Sequence, residues 1–260
     1  MSTPNPYAAP KAPVADETVV LPNNFTPGGR TAAAGRGWSW IAEGWSLFMK
    51  SPGIWIAITI IALVIFIVLG FIPFLGAIVL SLLMPVLGGG IMLGCRALDE
   101  GKDLEVQHLF AGFRAAFGTL AAIGAIYVVA SIVIVLIAVV LTGASLFGLF
   151  AGGPQDAAAM ASAFRSMALG MLVMLALFVP LAMAIWFAPA LVVLNGLGAV
   201  EAMKQSFAGC LKNMVPFLLY GVLLLIASIV ASLPFFLGWL ALGPVLVASI
   251  YAGYRDVYLS

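Results

Sequence analysis

Very few residues of this 260-residue chain carry side chains that could do chemistry. His108 is the only histidine, and without cysteine or histidine neighbours it is a weak metal signal, so we expect a solvated residue on a polar helix face. The two cysteines, Cys95 and Cys210, cannot form a disulfide framework. The sequence contains no metalloprotease, nucleophile-elbow or phosphate-loop motif. It therefore predicts no catalytic residue, no metal, no cofactor and no enzyme.

The composition excludes most classes of protein. Charged residues make up 8% of the chain, against about 25% in an ordinary soluble domain, and 64% of the residues are hydrophobic. These values exclude a disordered chain, a nucleic-acid-binding protein and a disulfide scaffold, and they leave too few charges to cover a soluble fold. We therefore predict an all-α fold, a polytopic bundle of transmembrane helices.

Six apolar stretches are long enough to cross a bilayer, which takes about 20 helical residues. The predicted spans are 53–72, 75–97, 117–142, 167–189, 214–234 and 236–254. No Asp, Glu, Lys, Arg or His lies in them away from their ends. Because intramembrane ionisable groups mark proton relays and ion-coupled carriers, transport driven by charged ligands is not expected.

The charges outside the spans predict the orientation. Residues 1–37 are rich in Pro, Ala, Asn, Gly and Thr, which predicts a disordered leader before a transmembrane domain over 38–258. Ten of the eleven Lys and Arg residues lie on the side that holds both chain ends, and only Arg165 lies on the other. By the positive-inside rule, both termini face the cytoplasm.

An internal repeat organises the spans. The apolar positions of the amphipathic segment 38–49 recur 162 positions later and, for most of them, 65 positions later. Such segments are typical of helices that lie in the membrane interface. The second span of each hairpin contains Pro-x-Leu, at Pro85, Pro189 and Pro244. We predict three parallel repeats of one interfacial helix plus one transmembrane hairpin, related by an axis along the membrane normal.

Glycines and prolines in the second spans are the first set of candidate functional residues. The triplet after Pro85 permits close helix packing or, alternatively, breaks the span and exposes backbone carbonyls to a cavity. Our first interpretation of the prolines is that they kink their helices. The candidates for kinking or packing are Pro85, Gly88, Gly89, Gly90, Gly94, Pro189 and Pro244.

Basic residues at the predicted cytoplasmic rim are the second set of candidates. Long cations at helix ends commonly extend to the headgroups and anchor the helix. The alternative is a basic pocket for anionic lipid. The residues concerned are Arg96, Arg255, Lys50 and Lys212.

Three motifs carry a resemblance to a known family: GWSWI at 37–41, WFAPAL at 186–191 and YAGYRD at 251–256. They resemble motifs of a family of uncharacterised proteobacterial six-span inner-membrane proteins. More loosely, the layout is similar to the membrane domain attached to some glycerophosphoryl diester phosphodiesterases, whose catalytic domain is absent here. The resemblance implies a place in the bacterial inner membrane and supplies no functional residues.

Two functions are consistent with these patterns. The first is a non-enzymatic membrane component that associates with lipid or protein, as the interfacial helices and the basic rim indicate. The second is a permease for a small neutral or apolar solute, as the glycines and prolines of the second spans indicate. The expected partners are the lipid bilayer, with anionic lipids or another membrane protein as further candidates, and no nucleic acid.

Overall fold

The computed structural model describes residues 24–150 and 157–259, without the side chains of 144–146 and 148–150. This part of the chain is almost entirely helical, and an isolated antiparallel bridge joins Phe25 to Leu259. A short 3-10 helix, Val106–Phe110, precedes α4. The α-helices are α1 (Arg36–Lys50), α2 (Pro52–Gly70), α3 (Leu75–Asp99), α4 (Ala111–Phe150), α5 (Ala157–Trp186), α6 (Ala188–Asn195), α7 (Ala199–Lys212), α8 (Met214–Ser232) and α9 (Trp239–Tyr258).

Five helical stretches in the described residues are long and apolar enough to cross a membrane. They are Pro52–Gly70, Leu75–Asp99, Val106–Gly143, Ala157–Asn195 and Met214–Ser232. The all-α membrane class predicted from the composition is therefore confirmed. The sixth predicted span, 236–254, lies largely in α9, which is not among the five, so the number of six spans stays a prediction.

Three sharp bends lead from a short helical segment into a long helix. The backbone leaves the helical region at Ser51 (φ −151°, ψ 57°), at Ala116 (φ −161°, ψ 45°) and at Asn213 (φ −115°, ψ 30°). The second and third bends lie 65 and 162 positions after the first. These are the spacings at which the apolar pattern of 38–49 recurs.

The first and third hairpins turn in the same way. Phe74 and Phe236 have positive φ values of 58° and 63°, which are uncommon for residues with a side chain. Gly76 and Gly238 follow two residues later, and a Cβ on either glycine would collide with the backbone of the residue seven positions earlier. Both pairs are 162 positions apart, and the two turns share these two features, although Phe235 also has a positive φ (50°) where the first turn has Pro73.

The short helices connect the hairpins into a closed ring. Each one packs against the second helix of the preceding hairpin: α1 against α9, the 3-10 helix and the start of α4 against α3, and α7 against α5 and α6. Because α1 contacts α9, the first and the last of these helices meet and the ring is closed. We call the side of the molecule with these short helices, residues 24–35 (the strap, described below) and the C-terminal end of α9 the strap side, and the opposite side the turn side.

Glycines allow the backbones to approach at two of these contacts. A Cβ on Gly44 of α1 would lie 2.6 Å from the Val245 carbonyl oxygen of α9. A Cβ on Gly112 of α4 would collide with the Val86 carbonyl oxygen of α3. Farther along the α3–α4 contact, a Cβ on Gly124 would lie 2.5 Å from the carbonyl oxygen of Ser81, the group that Pro85 leaves without its helical donor. The α3–α4 contact is therefore closed along its length.

A serine hydroxyl makes the corresponding contact of α7. Ser206 donates to the Met183 carbonyl oxygen at 2.7 Å and accepts from the Phe187 amide at 2.9 Å. The hydroxyl thus takes the place of the helical hydrogen bond between those two residues, and α5 ends at Trp186. Pro189 then lies in the first turn of α6, where its missing N–H does not interrupt the helix.

The predicted disordered leader, 1–37, is wrong at its C-terminal end. Residues 24–35, which we call the strap, are hydrogen-bonded across α7 and α9. The Thr26 amide donates to the Tyr258 carbonyl oxygen at 2.8 Å, and the Ala32 amide donates to Asn213 Oδ1 at 2.7 Å. Composition gave no sign of these partners, because they are more than 180 residues away. Residues 1–23 lie outside the described residues.

Closure of the α3–α4 contact can be tested at Gly112. Gly112→Ala would place a methyl group against the Val86 carbonyl, and we expect overpacking to cost about 1–3 kcal/mol. The measurement is the temperature at which half of the detergent-purified protein loses its monodisperse form. Gly118→Ala is the matched control, since a Cβ at Gly118 in the same helix meets nothing within 4 Å. Equal midpoints for the two variants would contradict the tight contact.

Candidate functional site

An apolar cavity of about 540 Å³ lies between α2, α3 and α9. We call it the α2–α9 cavity. Its wall contains aliphatic and aromatic side chains with one hydroxyl, that of Thr59, and no ionisable group. The volume is in the range of small-molecule sites, which are about 300–1,000 Å³.

The cavity is closed at one end and open at the other. On the strap side it ends at Trp55 and Leu109, which are 1% and 0% exposed. Toward the turn side its lining becomes exposed, with Leu63 at 48%, Met84 at 53% and Phe236 at 69%. The open end lies along α2 and α3, which are both long and apolar enough to cross a membrane.

The polar side-chain atoms of the lining are already paired within the protein. Thr59 Oγ1 donates to the Trp55 carbonyl oxygen at 2.8 Å, and Trp55 Nε1 donates to the Leu47 carbonyl oxygen at 3.2 Å. Trp239 Nε1 donates to Ser232 Oγ at 3.1 Å. A ligand in the cavity therefore meets C–H groups and aromatic faces, and close packing is what binds it.

The glycine triplet divides between the cavity and the packing contacts. Gly88 lines the cavity, and a Cβ there would meet nothing within 4 Å. Gly89 faces the side chains of Leu120 and Val193, each 3.0 Å from an added Cβ. The helix α3 runs without a break through Pro85 and the triplet, so a broken span with exposed carbonyls does not describe it.

The remaining glycine and proline candidates occupy packed positions. A Cβ on Gly90 would lie 2.9 Å from the Leu109 carbonyl oxygen, and one on Gly94 would lie 2.7 Å from Leu104 Cδ1. Pro244 lies inside α9 and lines the cavity. These residues determine how closely the second helices approach their neighbours.

The structure does not bring the four predicted basic residues into one pocket. Arg255 donates to Asp99 at 2.5 Å and to Glu43 at 2.9 Å, and Arg96 pairs with Glu100 at 3.4 Å. The two lysines bind backbone oxygens instead. Their partners are the carbonyls of Leu98 for Lys50 and of Gly29 for Lys212, each at 2.8 Å. Arg255 is therefore paired with two carboxylates, and Arg96 shares the exposed Glu100 with Lys102. Neither Lys50 nor Lys212 pairs with a carboxylate in the described residues.

Asp256 connects the strap, α1 and α9. Its carboxylate accepts from Arg36 Nε at 2.7 Å and from Trp40 Nε1 at 2.9 Å, and it lies 3.5 Å from the Arg30 guanidinium. The hydrogen bond to Asp256 is the largest cause of the raised pKa of the Arg36 guanidinium. The sequence showed Asp256 only as an acid beside Arg255, and no local pattern indicated these partners.

The histidine and the cysteines have structural surroundings. His108 accepts the Glu105 amide at 3.0 Å and so caps the 3-10 helix. Cys95 and Cys210 are buried free thiols, and burial raises the pKa of Cys210 to about 12. Within the described residues, no group of three His, Cys, Asp or Glu side chains could hold a metal ion.

The role of Asp256 can be tested by the accessibility of the strap. Asp256→Asn weakens the hydrogen bonds to Arg36 and Trp40, and hydrogen bonds to charged groups contribute about 1.5–3 kcal/mol. We expect trypsin to cleave after Arg30 about tenfold faster, as measured by mass spectrometry of the fragments. Glu100→Gln is the control, because it removes a carboxylate that does not contact the strap. A strap that is cut at the unchanged rate would contradict this role.

The chain is similar to a protein assigned to a bacterial membrane. A probable inner membrane protein of Burkholderia thailandensis is 28% identical over 226 residues, which are 85% of this chain and 82% of that protein. No model of a protein family and no solved structure matches the chain, so the looser likeness to the phosphodiesterase membrane domain gains no support. Together with its apolar helices, this similarity identifies the chain as a multi-pass integral membrane protein.

Proposed function

We propose that the protein is a non-enzymatic, lipid-associating component of the bacterial inner membrane, which holds an acyl chain of a membrane lipid in the α2–α9 cavity. We further propose that it has six spans in three parallel repeats, with both termini in the cytoplasm. The observation that carries the function is an apolar, half-enclosed cavity whose open end faces the bilayer.

The dimensions of the cavity favour a lipid chain. Along α2 it extends from Trp55 to Phe66, which at 1.5 Å per residue is about 16 Å. This is close to half of a hydrocarbon core about 30 Å thick, the depth of one leaflet. Membrane lipid surrounds the open end of the cavity. An empty cavity would lack the packing contacts that an acyl chain provides to its lining.

The closed strap-side end favours binding over passage. A permease for a small neutral or apolar solute is the alternative function, and such a solute would fit the same lining. It would have to pass Trp55 and Leu109, which are fully buried and close the cavity. Association with another membrane protein is a further alternative, because the exposed apolar faces of α5 and α8 offer a surface for it.

The course of α9 supports six spans. It follows α8 through a turn like that between α2 and α3, and its last residues meet the strap. Arg255 near its end pairs with Asp99 at the end of α3. Both helices therefore end on the same side, and α9 returns the chain across the membrane. The spacing of the bends at Ser51, Ala116 and Asn213 supports the three repeats.

The topology can be tested with reporter fusions. With six spans, a fluorescent protein fused after Ser260 should fold and fluoresce in the cytoplasm, and alkaline phosphatase at that position should be inactive. The same enzyme inserted at 72–74 is the internal control and should be active in the periplasm. An active C-terminal phosphatase would show that α9 does not cross.

The lipid site can be tested by filling the cavity. Gly88→Leu places a side chain into open space, so we expect the protein to fold and to retain less phospholipid after extraction. The measurement is the ratio of co-purified phospholipid to protein by mass spectrometry. Gly221→Leu is the matched control, since Gly221 is an exposed helical glycine with open space around it that does not line the cavity. If both variants retain the wild-type ratio, the cavity does not hold lipid.

A further inference from the structure

A polar cavity of about 250 Å³ lies on the strap side, where the strap and α1 meet the end of α9. We call it the arginine cavity. The strap contributes Arg30 to its lining, α1 contributes Arg36 and Glu43, and α9 contributes Arg255 and Asp256. Three guanidinium groups from three separate segments of the chain therefore share one small wall.

The two carboxylates of the wall hold these guanidinium groups side by side. Asp256 Oδ2 accepts from Arg36 Nε at 2.7 Å, and Trp40 Nε1 donates to the same oxygen at 2.9 Å. Glu43 lies between Arg36 and Arg255 and accepts from them at 3.0 and 2.9 Å. The protein itself therefore sets the positions of the arginines before a ligand arrives, which lowers the cost of binding one.

Some N–H groups of the arginines have no acceptor in the described residues. A guanidinium has five N–H donors. Arg30 uses Nε for the Asp256 carbonyl oxygen at 2.6 Å, and its Nη2 lies 3.5 Å from Asp256 Oδ1, farther than in an ordinary hydrogen bond. Nη1 of Arg30 and Nη1 of Arg36 meet no acceptor in the part of the chain that the structure describes. A ligand with several acceptor oxygens can use these donors together.

Cations outnumber carboxylates in the wall of the cavity. Three guanidinium groups face two carboxylates, and Asp99, which pairs with Arg255 at 2.5 Å, lies outside the lining. The side chains of Arg30, Arg36 and Arg255 are 47%, 37% and 36% exposed, so a ligand can reach them. This excess of positive charge fits an anion, and it does not fit a cation or an apolar molecule.

From this geometry we infer that the arginine cavity binds a phosphate group. Arginine suits phosphate because its planar group donates two parallel hydrogen bonds to two of the oxygens. The volume lies just below the range of small-molecule sites, about 300–1,000 Å³, so the cavity holds the phosphate and leaves the rest of the ligand outside. A phosphate bound between Arg30 and Arg36 joins the strap to α1. It belongs either to a lipid headgroup or to a soluble phosphate ester, and the experiment separates these two sources.

The experiment has two arms, both with the purified full-length protein in detergent. The soluble arm measures binding of glycerol phosphate by isothermal titration calorimetry. The lipid arm compares phosphatidic acid with diacylglycerol of identical chains by native mass spectrometry, because these two lipids differ only in the phosphate. Binding of glycerol phosphate would identify a soluble ester as a sufficient ligand. A preference for phosphatidic acid without binding of glycerol phosphate would identify a lipid headgroup.

Substitution of the strap arginine tests which residue binds the phosphate. Arg30→Gln removes the charge and keeps the backbone contact of Arg30, whose amide donates to the Val257 carbonyl oxygen at 2.8 Å. We expect about tenfold weaker binding in the arm that shows binding. Arg30→Lys, which keeps the charge without the paired donors, should give a smaller loss. Arg114→Gln is the matched control, since it removes an equal charge at an exposed residue of α4 that does not line the cavity.

The wild-type protein gives a second measurement that needs no variant. A phosphate held by Arg30 shields that residue from trypsin. At a ligand concentration ten times the dissociation constant, cleavage after Arg30 should therefore slow about tenfold. Cleavage after Lys102, whose side chain is 70% exposed and does not line the cavity, is the internal reference and should not change. Sodium chloride at the same ionic strength is the control for screening.

Three results would overturn the inference. Absence of glycerol phosphate binding together with equal binding of the two lipids would show that the arginines serve the fold alone. Equal losses in Arg30→Gln and Arg114→Gln would show that the cations act as a diffuse surface charge. Unchanged cleavage after Arg30 in the saturated protein would show that the ligand lies elsewhere. The arginine cavity shares no lining residue with the α2–α9 cavity, so loss of phospholipid in Gly88→Leu with any of these results would leave the proposed function standing.

Discussion

Lipid chains are as apolar as leucine, so helices within a bilayer are held by close packing and satisfied polar groups rather than by the hydrophobic effect. This protein meets that constraint mainly on the strap side. Its largest fully buried side chains, among them Trp40, Phe187 and Tyr254, lie where the short helices meet the second helices of the hairpins. The first helices, α2 and α8, are largely exposed and depend on those contacts for their positions.

The unequal packing of three similar contacts produces the α2–α9 cavity. Gly112 and Gly124 let α4 follow α3 closely over several turns, and that contact is closed. Gly44 does the same for α1 against α9 on the strap side, and beyond it α2 diverges and leaves the α2–α9 cavity. At α7 a serine hydroxyl makes the contact and ends α5 before Pro189. The same kind of helix contact thus leaves a recess in some places and packs tightly in others.

The chain has few charged residues, and several of them form ion pairs that join α1, α3 and α9. On the strap side, Arg36, Arg255, Glu43 and Asp256 pair with one another across α1 and α9, and Asp99 adds α3. Arginine carries most of these pairs because its planar group can serve two carboxylates at once. Of the four basic residues predicted at the rim, Arg255 therefore joins helices through ion pairs, Arg96 pairs within α3, and Lys50 and Lys212 bind backbone carbonyls.

The sequence by itself determined the class of the protein. Long runs without charge leave an all-α bundle as the solution, because a backbone in hydrocarbon must satisfy its own hydrogen bonds. The spacings of 65 and 162 in the apolar pattern are also the spacings between the bends at Ser51, Ala116 and Asn213, which the structure shows. Only the tertiary structure decided that Gly88 borders a cavity while Gly90 meets a backbone, and that Asp256 holds the strap. The surroundings of the two glycines depend on which of several equally apolar helix faces meet. The role of Asp256 depends on partners more than 200 residues away, about which local composition carries no information.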